Sequence, residues 1–228
     1  MSISDMQPVG VLFDFDGVLV DSKRVHAVAW QLAYRQMFGG QIPSEYPGEH
    51  SHGFTSWQVA EYLSRMAGYC DAADQLYACK LQLLITNAGP PDLLPGAAEL
   101  CSYLREVRIP CGIGSNAPTA FIESVVQEYG LPIEHIVGAD QVERPKPDPG
   151  AYCECARRCG IEAQDYDRVV VFEDSLAGLQ AAVAAGMKVA GVRTTLSDAQ
   201  LCAAGAVASC PDLTTPLKES WFGLCKKG

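Results

Sequence analysis

Positive charge is scarce in this 228-residue chain: 17 Lys and Arg stand against 27 Asp and Glu, leaving a net charge of −10. An acidic surface repels phosphate backbones, which argues against nucleic acid as a partner. It leaves room for a small phosphorylated ligand, because a bound cation inverts the charge locally. Long apolar runs are missing too. The longest, such as Val169–Phe172 and Ala181–Ala185, fall far short of the roughly 18 residues that span a bilayer, so no membrane partner is expected. The start of the chain has no basic segment, and its short apolar run ends in Asp14 and Asp16, so no secretory signal is read there. The ten cysteines include no C-x-x-C pair. A chain of this length buries roughly 70% of its unfolded surface and needs no disulfide staple, so the expected setting is a reducing cytoplasm. Cys153, Cys155 and Cys159 follow a helical pattern whose spacing does not converge on one tetrahedral metal site, and they read as small buried hydrophobes. There is no internal repeat and no low-complexity tract.

What is present is an ordinary globular composition, 48% hydrophobic, 19% charged and 8% aromatic. Val9–Phe13 is a short apolar run ending at acidic residues and a glycine, the pattern of a buried strand entering a loop. Similar runs follow at Ile109–Gly114, Ile136–Gly138, Arg168–Phe172 and Val189–Val192. Helical patterns lie between the later runs: Ala117–Tyr129, Gly150–Cys159 and Leu176–Ala185, each followed by a glycine stop signal. Strands alternating with helices predict an α/β fold, a Rossmann-like parallel sheet with helices on both faces. From Lys23 to Thr86 the alternation breaks. His26–Met37, Ser56–Met66 and Asp71–Ile85 are helical in pattern, and Gly89-Pro90-Pro91 with Pro95-Gly96 forms a stiff linker. The reading is a core of residues 1–22 and 95–228 with an all-helical domain, 23–94, inserted after the first strand.

Ligands of open parallel sheets bind beyond the carboxyl ends of the strands. After the first run come Asp14, Asp16 and Gly17, after the second Ser115 and Asn116, and after the third Lys146 within Arg144-Pro-Lys-Pro-Asp-Pro149. After the fourth come Glu173, Asp174 and Ser175. Four carboxylates converging on one rim repel, and a hard divalent cation with oxygen ligands relieves that. A lysine and a hydroxyl would hold the remaining oxygens of a phosphoryl group. The set predicts metal-assisted phosphoryl transfer. Each part alone also has a purely structural reading: Asp as a turn former, Ser115-Asn116 and Glu173-Asp174-Ser175 as helix caps, Lys146 as a solvated loop charge. All four in order, each just past a strand, favour the chemistry.

The same residues carry a resemblance. Phe13-Asp14-Phe15-Asp16-Gly17-Val18-Leu19-Val20-Asp21-Ser22 resembles the first signature of the haloacid dehalogenase superfamily. Gly114-Ser115-Asn116 resembles its second motif, Lys146-Pro147-Asp148-Pro149 its third, and Phe172-Glu173-Asp174-Ser175-Leu176-Ala177-Gly178 its fourth. The similarity runs from about Val9 to Val207, and the insertion, with His26 and Trp30, is similar to the β-phosphoglucomutase-like branch with its helical cap. The resemblance implies Asp14 as nucleophile, forming an aspartyl-phosphate, and Asp16 as the acid and then the base. It implies Mg²⁺ on Asp14, the Asp16 carbonyl and Asp174, with Glu173 acting directly or through a metal-bound water. Ser115 and Lys146 would hold the transferring oxygens. Gly17, Asn116, His52 and Ser56 fall at positions expected to contact substrate. Asp16 argues against dehalogenation, since dehalogenases of this superfamily lack an acid there.

The family's cap supplies specificity, and here the chain departs from the mutase pattern. The mutase grips a second phosphate with an arginine shortly after a Gly-hydrophobic-Ser/Thr step, whereas Gly53-Phe54-Thr55 is followed by Ser56 and Trp57. That favours a phosphatase of a small phosphorylated metabolite, a sugar phosphate, over a sugar phosphomutase. A phosphonate-cleaving enzyme and a non-catalytic binding protein on the same fold are the other readings. His50 and His52 either face substrate or remain loop residues, and His26 anchors the first inserted helix or acts in catalysis; Trp57 reads as core rather than as a platform for a sugar face, and Lys80 as a surface lysine rather than one reaching an anionic substrate group. The expected assembly is a monomer or homodimer.

Overall fold

Gly10–Phe13, buried throughout, forms β1 at the centre of the sheet. The computed structural model describes residues 8–46, 56–219 and 221–222, and within them the chain forms two compact units, Ser22–Pro91 and the remainder. A tight turn after β1 leads to β2, Val20–Asp21. The helical unit then supplies α1 (Lys23–Phe38), α2 (Ser56–Met66) and α3 (Ala73–Thr86). It has its own core, in which Trp30, Ala33 and Tyr34 of α1 meet Val59, Ala60 and Leu63 of α2 and Leu76 of α3. Those positions recur at helical spacing, which is why three modest helices suffice to bury one apolar stripe each.

The chain re-enters the first unit through β3 (Asp92–Leu93), α4 (Ala97–Glu106) and β4 (Cys111–Gly114). There follow α5 (Thr119–Tyr129), β5 (His135–Val137) and α6 (Gly150–Arg158). β6 (Val169–Glu173), α7 (Leu176–Ala184) and β7 (Lys188–Val192) continue the alternation. α8 (Asp198–Ala203), β8 (Ala206–Cys210) and α9 (Thr214–Lys218) close it. The main sheet has the order β5-β4-β1-β6-β7-β8 and every pairing in it is parallel. Leu12, Val169, Val171 and Val189 point to one face and pack with Tyr152, Cys155, Leu179 and Leu201 of α6, α7 and α8. Phe13 and Phe172, on the alternate positions, stack at 5.5 Å on the other face, where Trp221 lies 6.3 Å from Phe172. Each such fully buried side chain contributes roughly 1.5–3 kcal/mol, so the two faces together hold the parallel sheet.

Several boundaries differ from the sequence reading for local reasons. The second strand begins at Cys111 rather than Ile109, because Arg108 has φ +59 and Pro110 spends its carbonyl on the Val11 N–H. Extended Pro118, with ψ +138°, delays α5 to Thr119. Asp92–Leu93, read as linker, pairs antiparallel with Val20–Asp21. Helices α4, α8 and α9 and strand β8 were not read from the pattern. α8 did carry a signal, the capping box in which Ser197 and Gln200 bond reciprocally.

The order matters for function. β1 leads across to β4 on one side and is flanked by β6 on the other. Loops from its two neighbours therefore diverge at the carboxyl end of β1, and the crevice between β1 and β6 is the topological switch point where doubly wound sheets bind ligands.

Candidate active site

Asp14 leaves β1 at that crevice with its N–H bonded to the Phe172 carbonyl of β6 at 2.9 Å. Its carboxylate is thereby set beside Glu173 and Asp174, which end β6. All three are buried, and oxygens of Asp14, Glu173 and Asp174 lie within 4.8 Å of one another. Lys146 enters from the loop before α6. Its Nζ donates to Asp14 Oδ1 at 2.8 Å, to Glu173 Oε1 at 2.7 Å and to the Tyr152 hydroxyl at 2.7 Å. Its side chain is 3% exposed, so these three acceptors take the place of water.

Glu173 is fully engaged. Oε1 also accepts from the Tyr152 hydroxyl at 2.9 Å, and Oε2 accepts from the N–H groups of Asp174 and Ser175, both at 2.9 Å, and from the Ser175 hydroxyl at 3.0 Å. Ser175 in turn caps α7 by accepting from the Gly178 N–H. Asp174 Oδ2 is held by the Thr195 hydroxyl in a short contact and lies 3.0 Å from the Thr194 hydroxyl. The Thr194 oxygen is also 2.6 Å from the Gly17 carbonyl, so it ties the turn after β1 to the end of β6.

That turn requires glycine twice over. Gly17 has φ +78, and a Cβ there would come within 2.2 Å of Asp174 Oδ2. Asp16, one residue earlier, is half-buried and lies outside the three-acid group, yet close enough that its charge raises the proton affinity of Asp14. Ser115 follows β4, is 1% exposed, and accepts from the Ala117 N–H at 3.2 Å. Asn116, expected to contact substrate, is bonded to main chain at both ends of its amide. Oδ1 accepts the Lys146 N–H at 2.9 Å and Nδ2 donates to the Lys146 carbonyl at 3.4 Å. These two bonds tie the lysine loop to the end of β4.

The electrostatics follow from crowding. Burial, then Glu173, raises the Asp14 carboxyl well above its ordinary range, with Lys146 opposing and Asp174 and Asp16 adding to the rise. Burial and Glu173 push Asp174 to about 6, against the Thr195 and Thr194 hydrogen bonds and Lys146. Burial would lower Lys146, but Asp14 and Glu173 outweigh it and hold the ammonium charged. One cation thus faces three buried acids, and the surplus is negative. An all-oxygen donor set with surplus charge fits a hard divalent cation, and Asp14 and Asp174 are the residues that would hold it. Glu173 stands behind them, occupied with the lysine.

Two groups were missed in the sequence. Thr194 and Thr195 follow β7 after a single intervening residue, Arg193, so the rule that singled out the other strand ends also points to them. Tyr152 lies inside α6, where only packing brings it to the site. Gly112 and Gly114 were its signal: a Cβ on Gly114 would meet Tyr152 Cδ1 at 2.9 Å, and one on Gly112 would meet Cys155 Sγ at 2.6 Å. Two glycines at alternate positions of β4 let α6 approach that face closely.

In the helical unit, Lys80 is 1% exposed, which overturns the surface reading. Its ammonium donates to His26 Nδ1 at 3.0 Å and sits 5.2 Å from the Trp30 ring centroid. Trp57, expected in the core, is 44% exposed because its indole N–H reaches out to Asp74 Oδ1 at 2.8 Å. Ser56 is the first residue of α2, half-buried. His50, His52 and Gly53-Phe54-Thr55 lie outside the described residues.

The switch-point crevice holds a buried lysine among three acids at the ends of β6 and β1, and comparison with known proteins gives the family. A family model described as haloacid dehalogenase-like hydrolase matches residues 9–186. The chain belongs to that family. It is 29% identical over 197 residues to validoxylamine A 7'-phosphate phosphatase of Streptomyces hygroscopicus subsp. limoneus, covering 81% of this chain and 85% of that one. It is 28% identical over 195 residues to the β-phosphoglucomutase of Bacillus subtilis, covering 80% and 82%. The crystal structure of a HAD family hydrolase from Deinococcus radiodurans R1, with bound phosphate and sodium, matches at a TM-score of 0.68 and 27% identity, covering 95% and 97%. Among the described residues no helix is long and apolar enough to cross a membrane.

Proposed function

We propose that this chain is a Mg²⁺-dependent phosphatase that hydrolyses a small phosphorylated metabolite, a sugar phosphate, through an aspartyl-phosphate. The carrying observation is the Lys146–Asp14 contact of 2.8 Å inside the acid cluster at the switch point. It puts the carboxylate read as the nucleophile in direct contact with the cation read as the phosphoryl-oxygen holder. Named phosphatase relatives support the substrate class.

In this reading Asp14 Oδ attacks phosphorus, forming the O–P bond as the ester P–O bond breaks, and Asp16 protonates the departing oxygen. Asp16 then takes a proton from water as that water attacks phosphorus, which releases inorganic phosphate and restores Asp14. Bound Mg²⁺ would offset the charge of the phosphoryl oxygens and of Asp14, so that two anions can meet. Lys146 holds a phosphoryl oxygen with its ammonium, Ser115 offers its hydroxyl, and Asn116 keeps the lysine loop in register. Substrate selection is assigned to the helical insertion, which interrupts the chain directly after the first motif. We place the enzyme in the cytoplasm, in keeping with its free thiols.

The test is phosphate release from a panel of sugar and other small-metabolite monophosphates, with Mg²⁺, with EDTA, and with a trace of sugar bisphosphate. Release that requires Mg²⁺ is the expected result. Isomerised sugar phosphate without free phosphate, seen only with bisphosphate, would make the chain a mutase. No turnover of any compound would overturn the reading.

A further inference from the structure

We infer that Tyr152 is a positioning residue for this reaction, its hydroxyl holding the Lys146 ammonium and the Glu173 carboxylate in one closed hydrogen-bonded ring. The inference rests on the reading of Lys146 given above. Three distances close the ring: 2.7 Å from Nζ to the hydroxyl, 2.9 Å from the hydroxyl to Glu173 Oε1, and 2.7 Å from Oε1 back to Nζ.

Donors and acceptors balance around it. The ammonium has three N–H groups, and it gives one each to Asp14, Glu173 and the phenol oxygen. The phenol O–H is then free to donate to Glu173 Oε1. With Lys146 3% and Glu173 0% exposed at the side chain, no water is at hand to replace the hydroxyl. A lysine stem is four flexible carbons ending in a point charge, so its direction is set by its acceptors. Asp14 changes its charge and its bonding as it attacks phosphorus, while Tyr152 and Glu173 do not react. They are therefore the fixed side of the lysine's cradle.

The ring itself is held by packing rather than by the reaction. Tyr152 is fully buried against β4, whose Gly114 leaves space for Cδ1, and the Lys146 Nζ lies 4.3 Å from the ring centroid. Removing only the hydroxyl leaves that packing intact but deprives Lys146 of an acceptor and Glu173 of a donor. A hydrogen bond between a neutral hydroxyl and a charged group, where it is needed in the transition state, is worth enough for about a tenfold change in rate.

The experiment compares wild type and Tyr152→Phe as full-length protein with Mg²⁺ and the best monophosphate of the panel. The expected result is a kcat about tenfold lower or more, with KM and the inhibition constant for inorganic phosphate within about twofold and the protein still folded, its melting temperature lowered by only a few degrees. A kcat within about twofold of wild type overturns the inference, as does a loss confined to KM. Should the phenylalanine variant fold poorly, 3-fluorotyrosine placed at position 152 alters the hydroxyl's donor and acceptor strength at nearly constant volume. An unchanged kcat there would overturn the inference equally. Wild type that hydrolyses no monophosphate would instead remove the reading of Lys146 itself, and the inference with it.

Discussion

The ammonium of Lys146 lies 2.8 Å from Oδ1 of Asp14, although 132 residues separate the two in sequence. The contact joins the loop that precedes α6 to the end of β1, and it is made inside a site where the lysine is the single cation facing Asp14, Glu173 and Asp174 among the described residues. Its consequences are open to measurement.

Replacing Asp14 with Asn removes the nucleophile but keeps the side chain's shape. Phosphate release should fall by roughly three orders of magnitude or more. Because burial and Glu173 disfavour the Asp14 charge, the metal-free variant should melt at or above the wild-type temperature. Retained turnover would refute the assignment, and a collapsed melt would show that the loss came from folding.

Metal-free stability should fall as pH rises. Asp174 is raised from 3.8 to about 6, and Asp14 is raised further in the same direction. A folded-state value above the unfolded one means that the native state binds the proton more tightly. The associated stability is therefore present below about pH 4 and is lost as pH climbs through 6 and beyond. Added Mg²⁺ should raise the melting temperature more at pH 8 than at pH 5.5. Thermal melts with EDTA and with Mg²⁺ across that range test it, and an equal increment at both ends would count against the acid cluster as the metal site.

The Thr195 hydroxyl steadies Asp174 as a carboxylate. Thr195→Val should weaken Mg²⁺ binding by about tenfold, the usual cost of losing a ligand's supporting hydrogen bond, and more severely at pH 6 than at pH 8. Asp174→Ala should lose saturable Mg²⁺ binding altogether. Calorimetric Mg²⁺ titration without substrate reads both; wild-type affinity in Asp174→Ala would exclude Asp174 as a ligand, and wild-type affinity in Thr195→Val would exclude the supporting role of Thr195.

Gly17→Ala forces a Cβ onto a residue at φ +78 and within 2.2 Å of Asp174 Oδ2. The backbone strain alone is about 1 kcal/mol, and displacement of Asp174 adds to it. Denaturant unfolding should show the loss, together with weaker Mg²⁺ binding. A variant as stable as wild type would mean that the turn can relax away from β6.

Much of this protein was legible in its sequence because the signals are local. A buried parallel strand writes itself as a short apolar run, so Arg168–Phe172 falls within a residue of β6 at each end. A helix ending at Gly130, Gly160 or Gly186 announces its stop. The residues at strand ends lie next to the apolar runs in the chain, so Asp14, Ser115, Glu173 and Asp174 are legible there, while Lys146, well beyond the end of β5, stands out by its proline-flanked segment. Short elements with half-exposed patterns, such as β8 and α9, carry too little apolar signal to stand out.

Local pattern alone carries the alternation of strands and helices and the parallel sheet it implies, since each run depends on neighbours within a few residues. Only the tertiary structure decided that Glu173 is spent on Lys146 and the α7 cap, that Asn116 binds the lysine's main chain, that Tyr152 closes the ring behind it, and that Lys80 is buried beside His26. These depend on which surfaces meet across the sheet and between helices. The strand glycines permit such approaches, but the hydrogen bonds made there are settled only when residues far apart in the chain compete for the same few buried donors and acceptors.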